Sequence, residues 1–268
     1  MAMGGRLTKP TAPNCVWASD FKGQFRTGDG KHCYPLTTTD LNSRFVLTCE
    51  ALPSTAEAGA LECFSLLFME HGLPDVIRTD NGVPFASAGY WGLSKLAALW
   101  MRLGSHVERI EPGKPQQNGC HERMHRTLKL ETARPAARHL LAQQEKFNEW
   151  MHTFNYVRPH EALDMAVPAD VYRASRRCFN GTLPEINYAL ADDVKTVDRY
   201  GAISLFGRHS FHVSSALKGQ PVGVLELPNS LWRIGFAGVD LGDYDPGQRV
   251  LNRFTTLRES SLGAMINH

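Results

Sequence analysis

The first regular stretch of the chain, Asn14 to Phe25, reads as a strand, with Thr27-Gly28-Asp29-Gly30 as a turn and His32 to Thr39 as its hairpin partner. A third strand follows at Arg44 to Glu50. The apolar period then changes: Leu61, Phe64, Leu67 and Phe68 fall on one face of a helix, which Ser54-Thr55-Ala56-Glu57 is placed to cap as a capping box and Gly72 with Pro74 to end. Val76 to Thr79 is a short apolar strand running directly into Asp80. Leu93, Leu96, Ala97, Trp100 and Leu103 predict a second helix from about Trp91 to Leu103, stopped by Gly104. His106 to Ile110 fits another strand, and the Pro- and Gly-bearing stretch Glu111 to Gln117 a loop. A helix is expected from near Asn118, carrying Glu122 in its first turn, and a longer one from about Leu140 to Tyr156, striped by Phe147, Trp150, Met151 and Phe154.

After Cys178 the pattern returns to period two in Ile203/Leu205, Phe211/Val213, Val222/Val224 and Trp232/Ile234/Phe236, with glycine-bearing turns between the runs. That predicts a small antiparallel β-barrel over 190–245, followed by an irregular tail at 246–268. Residues 1–13 lack periodicity and are expected to be a loose leader or the stump of something removed. Three strands followed by alternating helix and strand make 14–175 an α/β unit, a mixed sheet with flanking helices.

Composition changes this picture little. With 268 residues, 43% hydrophobic and 21% charged, the chain has ample material for a core. A formal net charge of +2 does not announce a polyanionic partner. Local charge is more telling: from Arg102 to Arg138 eight Lys/Arg stand against four Glu, an excess that surrounds Glu122. The six cysteines lie far apart and form no zinc or redox pair. With no apolar run long enough to span a bilayer, a cytoplasmic, nucleoid-associated protein without a membrane partner is expected.

Three acids stand out from the background of turn and surface carboxylates. Asp20 lies among apolar neighbours in a strand, where an aspartate is unfavourable. Asp80 follows a strand in Asp80-Asn81-Gly82, a turn that leaves its carboxylate free to point away from the sheet. Glu122 sits near a helix N-terminus, where the dipole favours its charge. Convergent carboxylates suit a hard divalent cation and leave positions open for phosphate oxygens, which points to magnesium and a phosphodiester substrate. Arg126 and Lys129 lie four and seven residues after Glu122, on one helical face. Asp40 reads as a turn residue, and His121 and His125 as exposed side chains adding partial charge to a basic helix.

The order of elements and acids resembles ribonuclease-H-like folds, and the strings resemble the integrase catalytic core of bacterial insertion-sequence DDE transposases, relatives of retroviral integrases. Val16-Trp17-x-x-Asp20-Phe21, Asp80-Asn81-Gly82 and Gln117-Asn118-Gly119-x-x-Glu122-Arg123 with Lys129 match its three signatures. Asn155-Tyr156-x-Arg158-Pro159-His160-x-Ala162-Leu163, followed by Pro168-Ala169, resembles the segment after that core. The resemblance implies a catalytic, metal-ligating triad of Asp20, Asp80 and Glu122 holding two Mg2+ ions, with Mn2+ as a substitute. It further implies DNA contacts from Lys114, Asn118, Arg126, Lys129, Arg158 and His160, and a homo-oligomer on double-stranded DNA that needs no nucleotide cofactor. Water would first free a 3′-hydroxyl at an element end, and that hydroxyl would then attack another strand.

Two departures keep alternatives open. About thirteen residues precede the first strand, too few for the helix-turn-helix that such transposases usually carry, and the second and third acids lie 42 positions apart, somewhat more than in the retroviral pattern. A truncated, non-catalytic DNA-binding remnant that regulates a full-length transposase is therefore one alternative. A ribonuclease-H-type nuclease is another, disfavoured by the Asn118-Gly119 and Arg158-Pro159-His160 strings.

Overall fold

The computed structural model describes residues 7–111, 117, 119–207 and 209–266. Two compact units emerge: Arg6–Pro84 with Val107–Gly181, and Phe85–His106 with Thr182–His268.

The first unit is built on a mixed sheet. Its strands are β1 (Val16–Phe21), β2 (Phe25–Arg26), β3 (His32–Asp40) and β4 (Val46–Leu52); after α1 (Glu57–His71) comes β5 (Val76–Thr79), and after α2 (Lys95–Arg102) comes β6 (His106–Arg109). The strand order is β2-β3-β1-β5-β6, with β4 on the far side of β3. β1 runs antiparallel to β3 and parallel to β5. The long strand expected from Asn14 to Phe25 is thus two, because the chain leaves the sheet after Phe21. Both faces of β1 are covered. Trp17 stacks on Phe68 of α1 at 6.1 Å between ring centroids, whereas Val16 and Ala18, pointing the other way, pack with Leu41 and Val76.

The sheet face opposite α1 is closed by α3 (Gly119–Thr132) and α4 (Leu140–His152), whose Met124, Leu128, Phe147 and Trp150 pack on Cys33, Val46 and Cys49. α4 also solves an edge problem. The outer backbone groups of β4 would be buried without partners, and side-chain amides supply them. Gln144 accepts from Ala51 N at 2.7 Å and donates to Cys49 O at 2.9 Å, and Asn155 accepts from Val46 N at 2.8 Å and donates to Val46 O at 2.9 Å. The helix expected to reach Tyr156 ends at His152 and widens into a π-type turn over Thr153–Val157, followed by the short α5 (Pro168–Val171).

Several local expectations are corrected. The capping box before α1 is not used: Ala56 is the N-cap without a side-chain bond, and Ser54 Oγ accepts instead from Ala56 N at 3.3 Å. The helix foreseen from Trp91 begins at Lys95, because Trp91 and Gly92 take positive φ and Ser94 then caps α2 by accepting from Ala97 N. Residues 7–13, expected to be loose, are tied to the core: Thr8 N donates to Glu108 at 2.9 Å, and Thr8 O and Pro10 O accept from Arg78 and Asn42. Gly72 ends α1 at φ 74, and a Cβ there would lie 2.8 Å from Arg177 O, so both conformation and space demand glycine.

In the second unit α2 accompanies an antiparallel assembly. Its strands are β7 (Ile186–Tyr188), β8 (Asp193–Thr196), β9 (Ala202–Leu205), β10 (His209–His212), β11 (Pro221–Glu226), β12 (Trp232–Phe236), β13 (Val239–Asp245), β14 (Val250–Glu259) and β15 (Ala264–Ile266). Five pair in the order β14-β13-β12-β11-β8, while β9/β10 and β7/β15 form two-stranded ribbons. The stretch expected as an irregular tail therefore carries β14, which forms a hairpin with β13, and β15, which pairs with the distant β7. Among the described residues no helix is long and apolar enough to cross a membrane.

Candidate active site

The pairing of β1 with β5 matches Val16 with Val76, Trp17 with Ile77 and Ala18 with Arg78. Continued by two residues, that register sets Asp20 beside Asp80 at the open end of two adjacent parallel strands. Neighbouring strands lie about 5 Å apart, so the two carboxylates share one small volume. Asp80 is shaped by the turn after β5: Gly82 N donates to its Oδ1 at 2.9 Å, and Asn81 Nδ2 donates to Ile110 O at 2.8 Å, anchoring the turn beyond β6. A Cβ on residue 82 would stand 3.0 Å from Asp80 Oδ2, so glycine leaves room for that carboxylate.

The electrostatics match the register. The Asp20 carboxyl is pushed up to about 7, first by burial and next by the charge of Asp80, with Glu122 adding a smaller push in the same direction. A backbone hydrogen bond at Phe21 and the charge of Lys22 oppose the shift without cancelling it.

α3 is pinned beside this pair from below. Thr37, the β3 partner of Asp20, offers its hydroxyl to both helix histidines: Oγ1 lies 3.0 Å from His121 Nε2 and 2.5 Å from His125 Nε2. His125 Nδ1 is 3.8 Å from Asp20 Oδ2, and the two imidazoles meet edge to face at 4.4 Å. The expectation that these histidines are exposed is overturned, since they are 0% and 2% accessible. Burial pushes His121 down to about 3 and lowers His125 as well, so both are neutral. The signal was present in the helix pattern: His121, Met124, His125, Leu128 and Thr132 form one buried stripe. Glu122, Arg126 and Lys129 are left on the exposed face.

Other predicted residues fall in different places. Arg158 is engaged by Glu131, with Nη2 at 2.9 Å from both carboxylate oxygens, and lies 5.8 Å from the Phe154 ring. His160 stacks edge to face on Phe154 at 4.6 Å. Both line a cleft with Thr39, Arg44, Arg123 and Phe154. Lys114 and Asn118 lie outside the described residues. Asp40, expected in a turn, is the buried last residue of β3, and its carboxylate braces the turn that follows, accepting from Asn14 N, Ser43 N and Ser43 Oγ at 2.6–2.7 Å.

Among the described residues no three His, Cys, Asp or Glu side chains converge closely enough to cage an ion. The donor chemistry nonetheless fits a hard cation: oxygen ligands only, and an Asp20 charge whose cost beside Asp80 a cation would relieve.

An integrase core domain model matches residues 10–115, and a second integrase core model matches residues 103–168, so that the two together span both strand acids and the acid-bearing helix. The chain carries an integrase core. The Gag-Pol polyprotein of baboon endogenous virus (strain M7) is 30% identical over 125 residues, 47% of this chain and 7% of that protein. The insertion element IS407 uncharacterized 31.7 kDa protein of Burkholderia multivorans is 26% identical over 179 residues, 62% of this chain and 57% of that protein. The corresponding IS476 protein of Xanthomonas euvesicatoria is 25% identical, with 61% and 46% covered. The chain thus spans about half the length of the insertion-element relatives it matches. In fold, it resembles a chain of the simian T-cell lymphotropic virus intasome solved with PP2A regulatory subunit B56 gamma, at TM-score 0.52 and 16% identity, over 97% of this chain and 83% of that one. The ribonuclease-H-like sheet with its added C-terminal antiparallel strands is therefore the integrase architecture.

Proposed function

We propose that this integrase core is a magnesium-dependent DNA transposase that cuts a strand at the end of an insertion element and joins it to a target. The observation that carries the reading is the β1/β5 register, which sets Asp20 beside Asp80 under a helix presenting Glu122. Asp20, Asp80 and Glu122 are the catalytic residues and would hold the metal, with two ions expected. Bound there, the metal would supply Lewis-acid stabilisation to the attacking and leaving oxygens of an in-line displacement.

The chain's own groups do the rest. The strand acids stand on rigid elements and hold their spacing without loop motion. His121, His125 and Thr37 fix the roll of α3, so Glu122 faces the mouth while Arg126 and Lys129, one and two turns on, face the same solvent. Those two cations would lie along the phosphate backbone of bound DNA, positioning the scissile bond without reading sequence. The neutral, buried histidines offer no general base at the surface. Hydrolysis at the element end breaks one P–O bond to leave a 3′-hydroxyl and a 5′-phosphomonoester, and attack by that 3′-hydroxyl forms a new phosphodiester as the target strand's 3′-oxygen leaves, so no nucleotide cofactor is required. Two DNA ends joined in concert imply a multimer of this chain on DNA.

The test is a magnesium-dependent cleavage and joining assay on labelled element-end DNA, with Asp80→Asn as control. Joined products made by the wild type and absent from Asp80→Asn are expected. DNA binding by the wild type without any product would sink the enzymatic reading.

A further inference from the structure

On the flank of α3 turned away from Glu122, a cleft of about 370 Å³ opens between Arg44, Arg123, Arg158 and His160 over a floor that includes Met124 and Phe154. Arg44 follows β3, Arg123 is on α3, and Arg158 and His160 follow the turn after α4, so distant parts of the first unit bring guanidinium groups to one place. Their convergence registers on His160, which burial pushes down and which the charges of Arg158 and Arg44 push further the same way. Two acids temper the cleft, Glu131 paired with Arg158 and Glu161 on the wall.

A second observation is independent of charge. Thr39, 3% accessible, lines the same cleft, and its Oγ1 is a buried hydroxyl with no hydrogen-bond partner among the described residues. A buried polar atom left unpaired is costly and marks a place where a ligand supplies the missing partner. Arginine forks over an apolar floor suit a phosphate: the planar donors match its oxygens and the low dielectric strengthens the contact.

We propose that this cleft is a DNA phosphate-binding site, separate from the acid-bearing mouth, that grips the strand on the second flank of α3. Thr39 lies two residues along β3 from Thr37, the partner of Asp20, and strand alternation puts both on one sheet face. Two residues of strand span about 7 Å, which sets the cleft floor close to the residue that pairs with Asp20. The inference rests on the DNA reading of the mouth but not on its chemistry.

The experiment is metal-free DNA binding by the full chain over a range of salt concentrations. The wild type is compared with Arg44→Gly, Arg123→Gln and their double variant, with exposed Arg176→Gln as control. Glycine at 44 suits the positive φ of 66° that arginine now adopts, so the fold is spared. The double variant is expected to bind at least about fivefold more weakly, with the slope of log K against log salt shallower by about 0.9 for each phosphate no longer neutralised, and Arg176→Gln to match the wild type. An unchanged slope in the double variant, or an equal weakening in Arg176→Gln, overturns the proposal. Should either variant melt early, wild-type amide NMR with a 5′-phosphorylated dinucleotide decides: shifts at Thr39, Arg44 and Arg123 support the site and their absence overturns it. Reduced slopes from a chain that joins no DNA would keep the cleft and remove the enzyme; joining activity with unaltered slopes would do the reverse.

Discussion

Asp20 and Asp240 are both aspartates on strands, one in each unit, and their surroundings are opposite. Asp240, 2% accessible on β13, is fully answered: Arg233 Nη1 donates at 2.9 Å, Ser261 Oγ at 2.8 Å, and Ser261 N and Ser260 Oγ complete the shell. Arg233 is bound by Asp243 as well, and the carboxylates hold its own pKa above the ordinary value. Asp20 has acids for neighbours and a carboxyl raised to about 7. A charge compensated within the fold is a strut, whereas one left uncompensated at a cleft mouth is waiting for an external cation.

The comparison breaks if the two aspartates respond alike to mutation. The largest expected effect is on chemistry: Glu122→Gln should abolish strand cleavage, at least about 10³-fold, while leaving DNA binding intact, because it removes one charge and keeps the shape. Near wild-type cleavage would remove Glu122 from the site. Next, Asp240→Ala should cost about 2–3 kcal/mol in denaturant unfolding, since it strands part of Arg233 and two serine donors.

Asp20→Asn should do the opposite in metal-free protein. A folded pKa near 7 against an ordinary 3.8 means the native state holds its proton longer than the unfolded chain, so stability falls as pH rises from about 4 to 7 and then levels. Asparagine never pays that penalty. The variant should match wild type near pH 3.5 and exceed it by about 1–2 kcal/mol at pH 8. A variant less stable at pH 8 would show Asp20 to be another strut. The smallest effect is Lys129→Ala, expected to flatten the salt dependence of DNA binding by about one phosphate contact. An unchanged slope would return Lys129 to the solvated face.

Much of this was legible in the residues. Period and turn chemistry located five of the six strands of the mixed sheet, and Asp20 stood out as an aspartate inside an apolar strand, whereas Asp80 and Glu122, ordinary turn and helix-start acids by themselves, stood out through the strings that surround them. What escaped was set by distant partners. Nothing local says that Thr37 waits beneath α3, so the chemistry of His121 and His125 outweighs, in the sequence, the buried stripe they share with Met124 and Leu128. Asn155 proves to cap the edge of β4, a role that its own string does not announce. Of the strands after Tyr244, β15 pairs with the distant β7, whereas the hairpin of β14 with β13 was hidden by a bulge that breaks its alternation. The start of α2 was misplaced because Trp91 takes a left-handed turn that no propensity favours.

The account stands on Asp20 and Asp80 forming one cation site, and Mn2+ binding followed by electron paramagnetic resonance tests that most directly. Wild-type affinity should climb about tenfold per pH unit below 7, as the Asp20 proton is displaced, and then plateau, with Asp80→Asn binding at least about tenfold more weakly and Asp240→Asn unaffected. Titration of Asp80→Asn indistinguishable from wild type, or affinity independent of pH below 7, would contradict it.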